Sequence, residues 1–267
     1  LRGGDILLTL PSVGATENAI LAACGAEGTT IISNAAREPE IADLQDFLQK
    51  LGADVHGAGT STITVRGGGV RHGCVHRCIG DRIAAATYLC AAAAAGGQVT
   101  LRGVDYRHLA TVTTALGQAG CRLQCTEDSI TLESDGRLRA IPPVRTSPYP
   151  GFPTDAQAPL MAALLRSEGA VMFVENMFDS RYRHVPELVR MGADIRLEGR
   201  VAVVYGTREL HGAAVRCTDL RGGAALAIAA LQTPDATLIH EIYHIQRGYQ
   251  DMAGDLRALG ADAIVEV

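Results

Sequence analysis

Four tripeptides, Leu51-Gly52-Ala53, Ala119-Gly120-Cys121, Met191-Gly192-Ala193 and Leu259-Gly260-Ala261, punctuate the chain with their glycines 68, 72 and 68 residues apart. A small-residue signal recurring at that interval marks one supersecondary module used repeatedly, which constrains the architecture before any single residue does. Each module opens with a helix-capping segment: Ser12 before Val13, Asp81 after Gly80, Thr154-Asp155 after Pro153, and Thr218-Asp219 before Leu220. Side-chain oxygens there can accept from the unpaired amides of a first turn. Apolar runs follow, Ala19 to Ala26, Ala84 to Ala95, Ala158 to Leu165 and Ala224 to Leu231, apolar around most of the helix circumference and so expected to be buried.

Short stretches rich in Thr, Val and Ile come next: Thr29 to Ile32, Gln98 to Leu101, Val171 to Val174 and Thr237 to Ile239. Each leads to a more amphipathic second helix, over Ile41 to Leu51, Leu109 to Ala119, Val185 to Met191 and Asp251 to Leu259, and then to paired strands such as Asp54-Val55-His56 with Thr62 to Val65. The alternation predicts an α/β (α+β) protein of repeated βαβαββ-type units. Three such units can close with helices inside and sheets outside, because alanine lets helices approach closely. Helix starts that converge would offer positive dipole ends to an anion.

With 47% hydrophobic residues the 267-residue chain can fill a core. Its longest apolar stretch, Ala84 to Ala95, is far short of the roughly 20 residues of a membrane crossing, and no charged-then-apolar leader opens it. Seven cysteines without framework spacing favour a reducing compartment, so a cytoplasmic location is expected. A net charge of −5 argues against a nucleic-acid surface. Lys50 is the single lysine, placed where a cation offsets a helix C-terminus.

His72, Cys74, His76 and Cys78 alternate. On a strand they would share one face, but alternate neighbours about 7 Å apart cannot wrap one tetrahedral ion. No metal site is expected there, and no cofactor elsewhere. Gly67-Gly68-Gly69 reads as a flexible connection, since no strand-to-helix context makes it a phosphate loop.

Several strings nevertheless point to a family. They are Ser12-Val13-Gly14-Ala15-Thr16, Glu27 to Ile32 followed by Asn34-Ala35-Ala36-Arg37-Glu38-Pro39-Glu40, Phe152-Pro153-Thr154-Asp155, Arg181 through Gly192, Thr218-Asp219-Leu220-Arg221, and Tyr243-His244-Ile245 with Arg247-Gly248-Tyr249. Through them the chain resembles the enolpyruvyl transferases, most of all the branch acting on UDP-N-acetylglucosamine at the start of peptidoglycan precursor synthesis. The resemblance implies an inside-out α/β barrel fold of two three-unit domains, of which four units are represented. Residues 1–79 would be the last unit of the first domain and 80–267 the second domain.

It also implies that phosphoenolpyruvate and UDP-N-acetylglucosamine are the partners; charge and apolar run length lead to no nucleic acid and no membrane as expectations. That chemistry joins a sugar hydroxyl to C2 of phosphoenolpyruvate, protonates the methylene and expels phosphate, which calls for a base, an acid and cations. By resemblance, Asp155 is the carboxylate on the sugar 3-hydroxyl, Arg181, Arg221 and Arg247 surround phosphoenolpyruvate, with Asp155, Arg221 and Arg247 as the catalytic residues, and Asp219 is a further substrate-binding residue. Ser12, Val13 and Gly14 meet the UDP portion, and Met177 offers a backbone contact. The pattern departs at Leu10, Ala84 and Gln246. Because the family's two opening units, with its Lys-Asn pair and acid loop, are not represented, no turnover is expected from this chain alone. Two other readings stay open: a non-catalytic paralogue binding a nucleotide sugar or a full-length partner, and an enolpyruvylshikimate phosphate synthase-like transferase.

Overall fold

The repeating glycines have a conformational cause. In a computed structural model describing residues 1–265, Gly52, Gly120, Gly192 and Gly260 adopt φ of +86°, +115°, +94° and +99°, each two residues beyond the last residue of a helix. In all four the glycine amide donates to the carbonyl of the second-last helical residue, and the next amide reaches one residue further back, as Gly120 to Gly117 and Cys121 to Leu116. This is the Schellman stop, and it packs the small residue after the glycine on the apolar residue that accepts its bond. An L side chain there costs roughly 1–2 kcal/mol.

The chain divides into two compact units. The first comprises Leu1–Gly80 with Pro148–Gly151. It runs β1 (Asp5–Leu7), α1 (Val13–Cys24), β2 (Thr29–Ser33), α2 (Pro39–Lys50), β3 (Asp54–His56) and β4 (Thr62–Arg66). The sheet order is β1-β2-β4-β3, with β1 parallel to β2 and the other pairs antiparallel. Ser12 caps α1 as expected, accepting from the Ala15 amide. The expectation that every apolar helix is buried fails for α1. Thr16, Ile20, Ala23 and Cys24 face the core, whereas Leu21 is half exposed. One sheet and one neighbouring helix cover only one side of it.

Gly67-Gly68-Gly69 is no loose connection. Its three amides bond to Gly28 and Cys24 carbonyls, and a Cβ at Gly67 would lie 1.8 Å from the Ala26 carbonyl oxygen. Main chain packs on main chain there, which only glycine permits.

The second unit, Asp81–Ser147 with Phe152 onward, is built on three long apolar helices, α3 (Arg82–Ala95), α5 (Thr154–Ala163) and α7 (Leu220–Ala230). They pack on one another and bury most of their alanines together with Leu89, Leu160, Leu226 and Ile228. Around them lie three sheets. The first, β5-β7-β6, is formed by β5 (Gly97–Arg102), β6 (Arg122–Cys125) and β7 (Ser129–Ser134), with α4 (Ala110–Gln118) between β5 and β6. The second repeats the first unit's order as β8-β9-β11-β10, from β8 (Val144–Arg145), β9 (Ala170–Val174), β10 (Asp194–Glu198) and β11 (Val201–Tyr205), with α6 (Val185–Arg190) after β9. The third pairs β12 (Ala214–Arg216) parallel to β13 (Leu238–His240), followed by α8 (Tyr243–Gln246) and α9 (Met252–Ala258). Helices inside and sheets outside is the inside-out α/β arrangement the repeat implied. Among the described residues no helix is long and apolar enough to cross a membrane.

Candidate functional site

Because the central helices derive from one repeated module, equivalent positions gather at their N-terminal ends. Asp155 and Arg221 are both the second residue of their helices, α5 and α7. The Arg221 guanidinium lies 3.5 Å from the Asp155 carboxylate, and Arg181, on the loop between β9 and α6, pairs with the other carboxylate oxygen. Arg221 and Arg181 are mostly buried, with side chains 13% and 20% exposed, while Asp155 is 41% exposed. The three groups carry a net positive charge and present it to solvent around a carboxylate.

The helix ends differ from what the capping segments predicted in one case. Pro153 occupies the cap position of α5, and no side chain accepts from that first turn. Neither Thr154 nor Asp155 serves as a cap. Proline's extended backbone starts the helix, so Asp155 is free to face the arginines and Thr154 donates to Glu175, 2.9 Å away. Asp81 and Asp219 do cap, each accepting two amides. One Asp219 oxygen is therefore engaged by the Arg221 and Gly222 amides, and the other accepts from the Thr218 hydroxyl at 3.3 Å. Asp219 also lines a cleft of about 340 Å³ with Phe178, Asp179, Ser180, Arg181 and Arg183.

Arg221 is steered by a residue sequence reasoning passed over. The Tyr249 hydroxyl, 3.2 Å from Arg221 Nη1, also meets the Thr87 hydroxyl at 2.7 Å, so α3 fixes the tyrosine that fixes the arginine. The loop carrying Arg181 has its own anchor in Glu175, which is fully buried. Its carboxylate accepts from the Thr146 and Thr154 hydroxyls and from the Met177 and Phe178 amides, at 2.7–3.1 Å. Phe178 lies under the Arg181 guanidinium, 5.5 Å from ring centre to carbon. Nothing in an isolated Glu175 or Thr87 signals these roles.

Arg247 is joined to this cluster by no hydrogen bond or ion pair among the described residues. It is exposed at the end of α8, two residues before Tyr249, and among the described residues its guanidinium makes no hydrogen bond or ion pair. Met177 spends its amide on Glu175, leaving its carbonyl as the main-chain group to offer. In the first unit Ser12 is exposed at the start of α1, Val13 is half-buried, and a Cβ at Gly14 would meet nothing within 4 Å. Thr16, behind them, accepts from the Ala36 amide at 3.0 Å and so ties this helix start to the Asn34–Glu40 string.

Behind Arg181 lies His184, fully buried with neither ring nitrogen paired among the described residues. Burial, with Arg181 adding to it and Asp219 opposing, pushes the imidazole down to about 4. The unfolded imidazole titrates near 6.5, so the unfolded chain takes the proton first as pH falls. Stability is complete above that value and declines until the folded imidazole titrates in turn. Between pH 7 and pH 5 the loss from this group is about 2 kcal/mol. Urea denaturation at both pH values should show a shallower dependence for His184→Asn than for the wild type. Equal dependences would contradict a buried neutral imidazole.

The chain matches the EPSP synthase (3-phosphoshikimate 1-carboxyvinyltransferase) family over residues 1–256. It is 48% identical over 262 residues to UDP-N-acetylglucosamine 1-carboxyvinyltransferase of Zymomonas mobilis, covering 98% of this chain and 61% of that protein. The like-named protein 1 of Symbiobacterium thermophilum is 49% identical over 261 residues, covering 98% and 59%. The chain thus spans about three-fifths of the length of the curated relatives it matches. Among solved structures, the enolpyruvyl transferase NikO from Streptomyces tendae superposes with a TM-score of 0.85 at 29% identity, over 95% of this chain and 60% of that one. EPSP synthase from Acinetobacter baumannii, at 21% identity and a TM-score of 0.75 over 100% of this chain and 64% of that one, shares the fold.

Proposed function

We propose, for a chain that belongs to the EPSP synthase (3-phosphoshikimate 1-carboxyvinyltransferase) family, a part in transferring the enolpyruvyl group of phosphoenolpyruvate to the 3-hydroxyl of UDP-N-acetylglucosamine, an early step toward peptidoglycan precursors in the cytoplasm. The observation that carries this reading is a solvent-reaching carboxylate, Asp155, flanked by the mostly buried guanidiniums of Arg181 and Arg221. A guanidinium holds carboxylate or phosphate oxygens bidentately, which suits a ligand bearing both. Asp155 accepts the proton of the sugar hydroxyl as its oxygen bonds to C2 of phosphoenolpyruvate. A proton delivered to the methylene carbon gives a tetrahedral adduct, and removal of a proton from the resulting methyl as the C2–phosphate bond breaks restores the double bond and releases phosphate.

In this reading Arg247 approaches the phosphate when ligand is bound, Asp219 contacts substrate at the start of α7, the Met177 carbonyl touches the sugar nucleotide, and Ser12, Val13 and Gly14 meet its UDP portion. The similarity to two UDP-N-acetylglucosamine 1-carboxyvinyltransferases at 48% and 49% identity favours that sugar over shikimate 3-phosphate. Steady-state phosphate release by the protein encoded by the whole gene tests it. The expected result is release from phosphoenolpyruvate that requires UDP-N-acetylglucosamine and falls by about three orders of magnitude in Asp155→Asn, the scale of losing a general base. Release supported by shikimate 3-phosphate instead would overturn it.

A further inference from the structure

The segment after the glycine run does not form the strand on which the alternation of His72, Cys74, His76 and Cys78 was judged. Residues 67–80 belong to no helix or strand, and the Arg71 and His72 amides bond to the Leu51 carbonyl at the end of α2. From there the segment lays His76 on one stripe of α2. Asp43, Asp46, Phe47 and Lys50 recur at the three- and four-residue spacing that places side chains on a single helix face. The His76 side chain is 6% exposed. Its Nε2 is 3.1 Å from Asp43 Oδ1, and its Nδ1 is 3.3 Å from Lys50 Nζ and 3.5 Å from Asp46 Oδ2. Cys78 completes the group, with one ligand atom each from Asp43, His76 and Cys78 lying within 4.8 Å of one another.

We propose that Asp43, His76 and Cys78 bind one divalent transition metal of the zinc type, with solvent as the fourth ligand, and that the ion staples the 70–80 segment to α2. The donor set of imidazole, thiolate and carboxylate is the one zinc prefers, with bonds of about 2.0–2.3 Å. Those bonds imply donor separations of about 3.3–3.8 Å around a tetrahedron. The 3.1 Å between Asp43 and His76 must open slightly, and the Cys78 sulfur, within 4.8 Å of both, must draw in. The charges also balance. A carboxylate, a thiolate and a neutral imidazole cancel a dication, while Asp46 and Lys50 pair at 2.6 Å and cancel each other. With the metal on Nε2, Nδ1 carries the proton toward Asp46, 3.5 Å away, so Lys50 gives up its 3.3 Å contact with Nδ1 and keeps Asp46 alone. A carboxylate in that outer position fixes ring orientation in histidine-ligated metal sites. Binding releases the Cys78 thiol proton to solvent.

Cobalt(II) titration of the 267-residue chain tests this with a readout separate from catalysis. The expected result is a thiolate-to-cobalt charge-transfer band saturating at one equivalent and displaced by zinc. Cys78→Ser should abolish the band. His76→Gln, whose amide can still bond Asp43, should weaken affinity at least tenfold. Zinc should raise the thermal midpoint of the wild type, raise that of His76→Gln by less, and leave that of Cys78→Ser unchanged. Cys125→Ser, which removes an exposed cysteine elsewhere, should leave the band intact. A band that persists in Cys78→Ser, or no band at tens of micromolar cobalt, would overturn the assignment. Because Cys78 is exposed, its serine variant is expected to keep the metal-free unfolding transition, so loss of the band there reports ligation and not collapse.

Discussion

Glu175→Ala is expected to lower the free energy of unfolding by about 4 kcal/mol, in line with the loss of a buried charge-assisted hydrogen-bond hub. Truncation strands two hydroxyls and two amides that now share one carboxylate in a fully buried position. Charge-assisted bonds contribute more than neutral ones, and stranded donors lose water without gaining a partner. Glu175→Gln separates this cause from lost volume. Its carbonyl can keep the Met177, Phe178 and Thr146 donors, and its amide can donate to the Thr154 hydroxyl, so a loss of about 1 kcal/mol is expected. Equilibrium urea denaturation with a common slope reads both values. An alanine variant within about 1 kcal/mol of the wild type would show that the hub does not hold the loop.

Arg221→Ala should weaken phosphoenolpyruvate binding by roughly 30- to 100-fold, the 2–3 kcal/mol of a charge-assisted contact to an anion. Arg221 is mostly buried and is held from behind by Tyr249, which Thr87 holds in turn. Such a group has little entropy left to lose when a ligand arrives. Tyr249→Phe removes the hydroxyl and keeps the guanidinium, so its loss should stay under about tenfold, one neutral hydrogen bond. Calorimetric titration of the three proteins gives the comparison. Equal losses for both variants would assign the effect to the packing of α7 on α8 and not to anion contact.

Much of this arrangement is legible along the chain because it is local. The four helix stops need only a glycine with positive φ and the apolar residue four positions before it, both visible in sequence. Asp155 and Arg221 stand just after helix starts, which a repeated module brings together. What is not legible depends on distance. Thr87 and Tyr249 are 162 residues apart and look like an ordinary helix threonine and loop tyrosine. Glu175 reads as a polar residue at a strand end until Thr146 and Thr154 close over it. The first strands β1, β8 and β12 are two or three residues long, too few for a period of two to register.

The central claim is that Asp155 occupies, with its own negative charge, a place between two guanidiniums built to receive an anion. Titration of wild type and Asp155→Asn with phosphoenolpyruvate tests it most directly. The amide is nearly isosteric and removes the competing charge, so the account predicts that the variant binds phosphoenolpyruvate more tightly, by about 3- to 10-fold, or roughly 1 kcal/mol for a partly exposed ion pair. Unchanged or weaker binding in a variant that remains folded would contradict it.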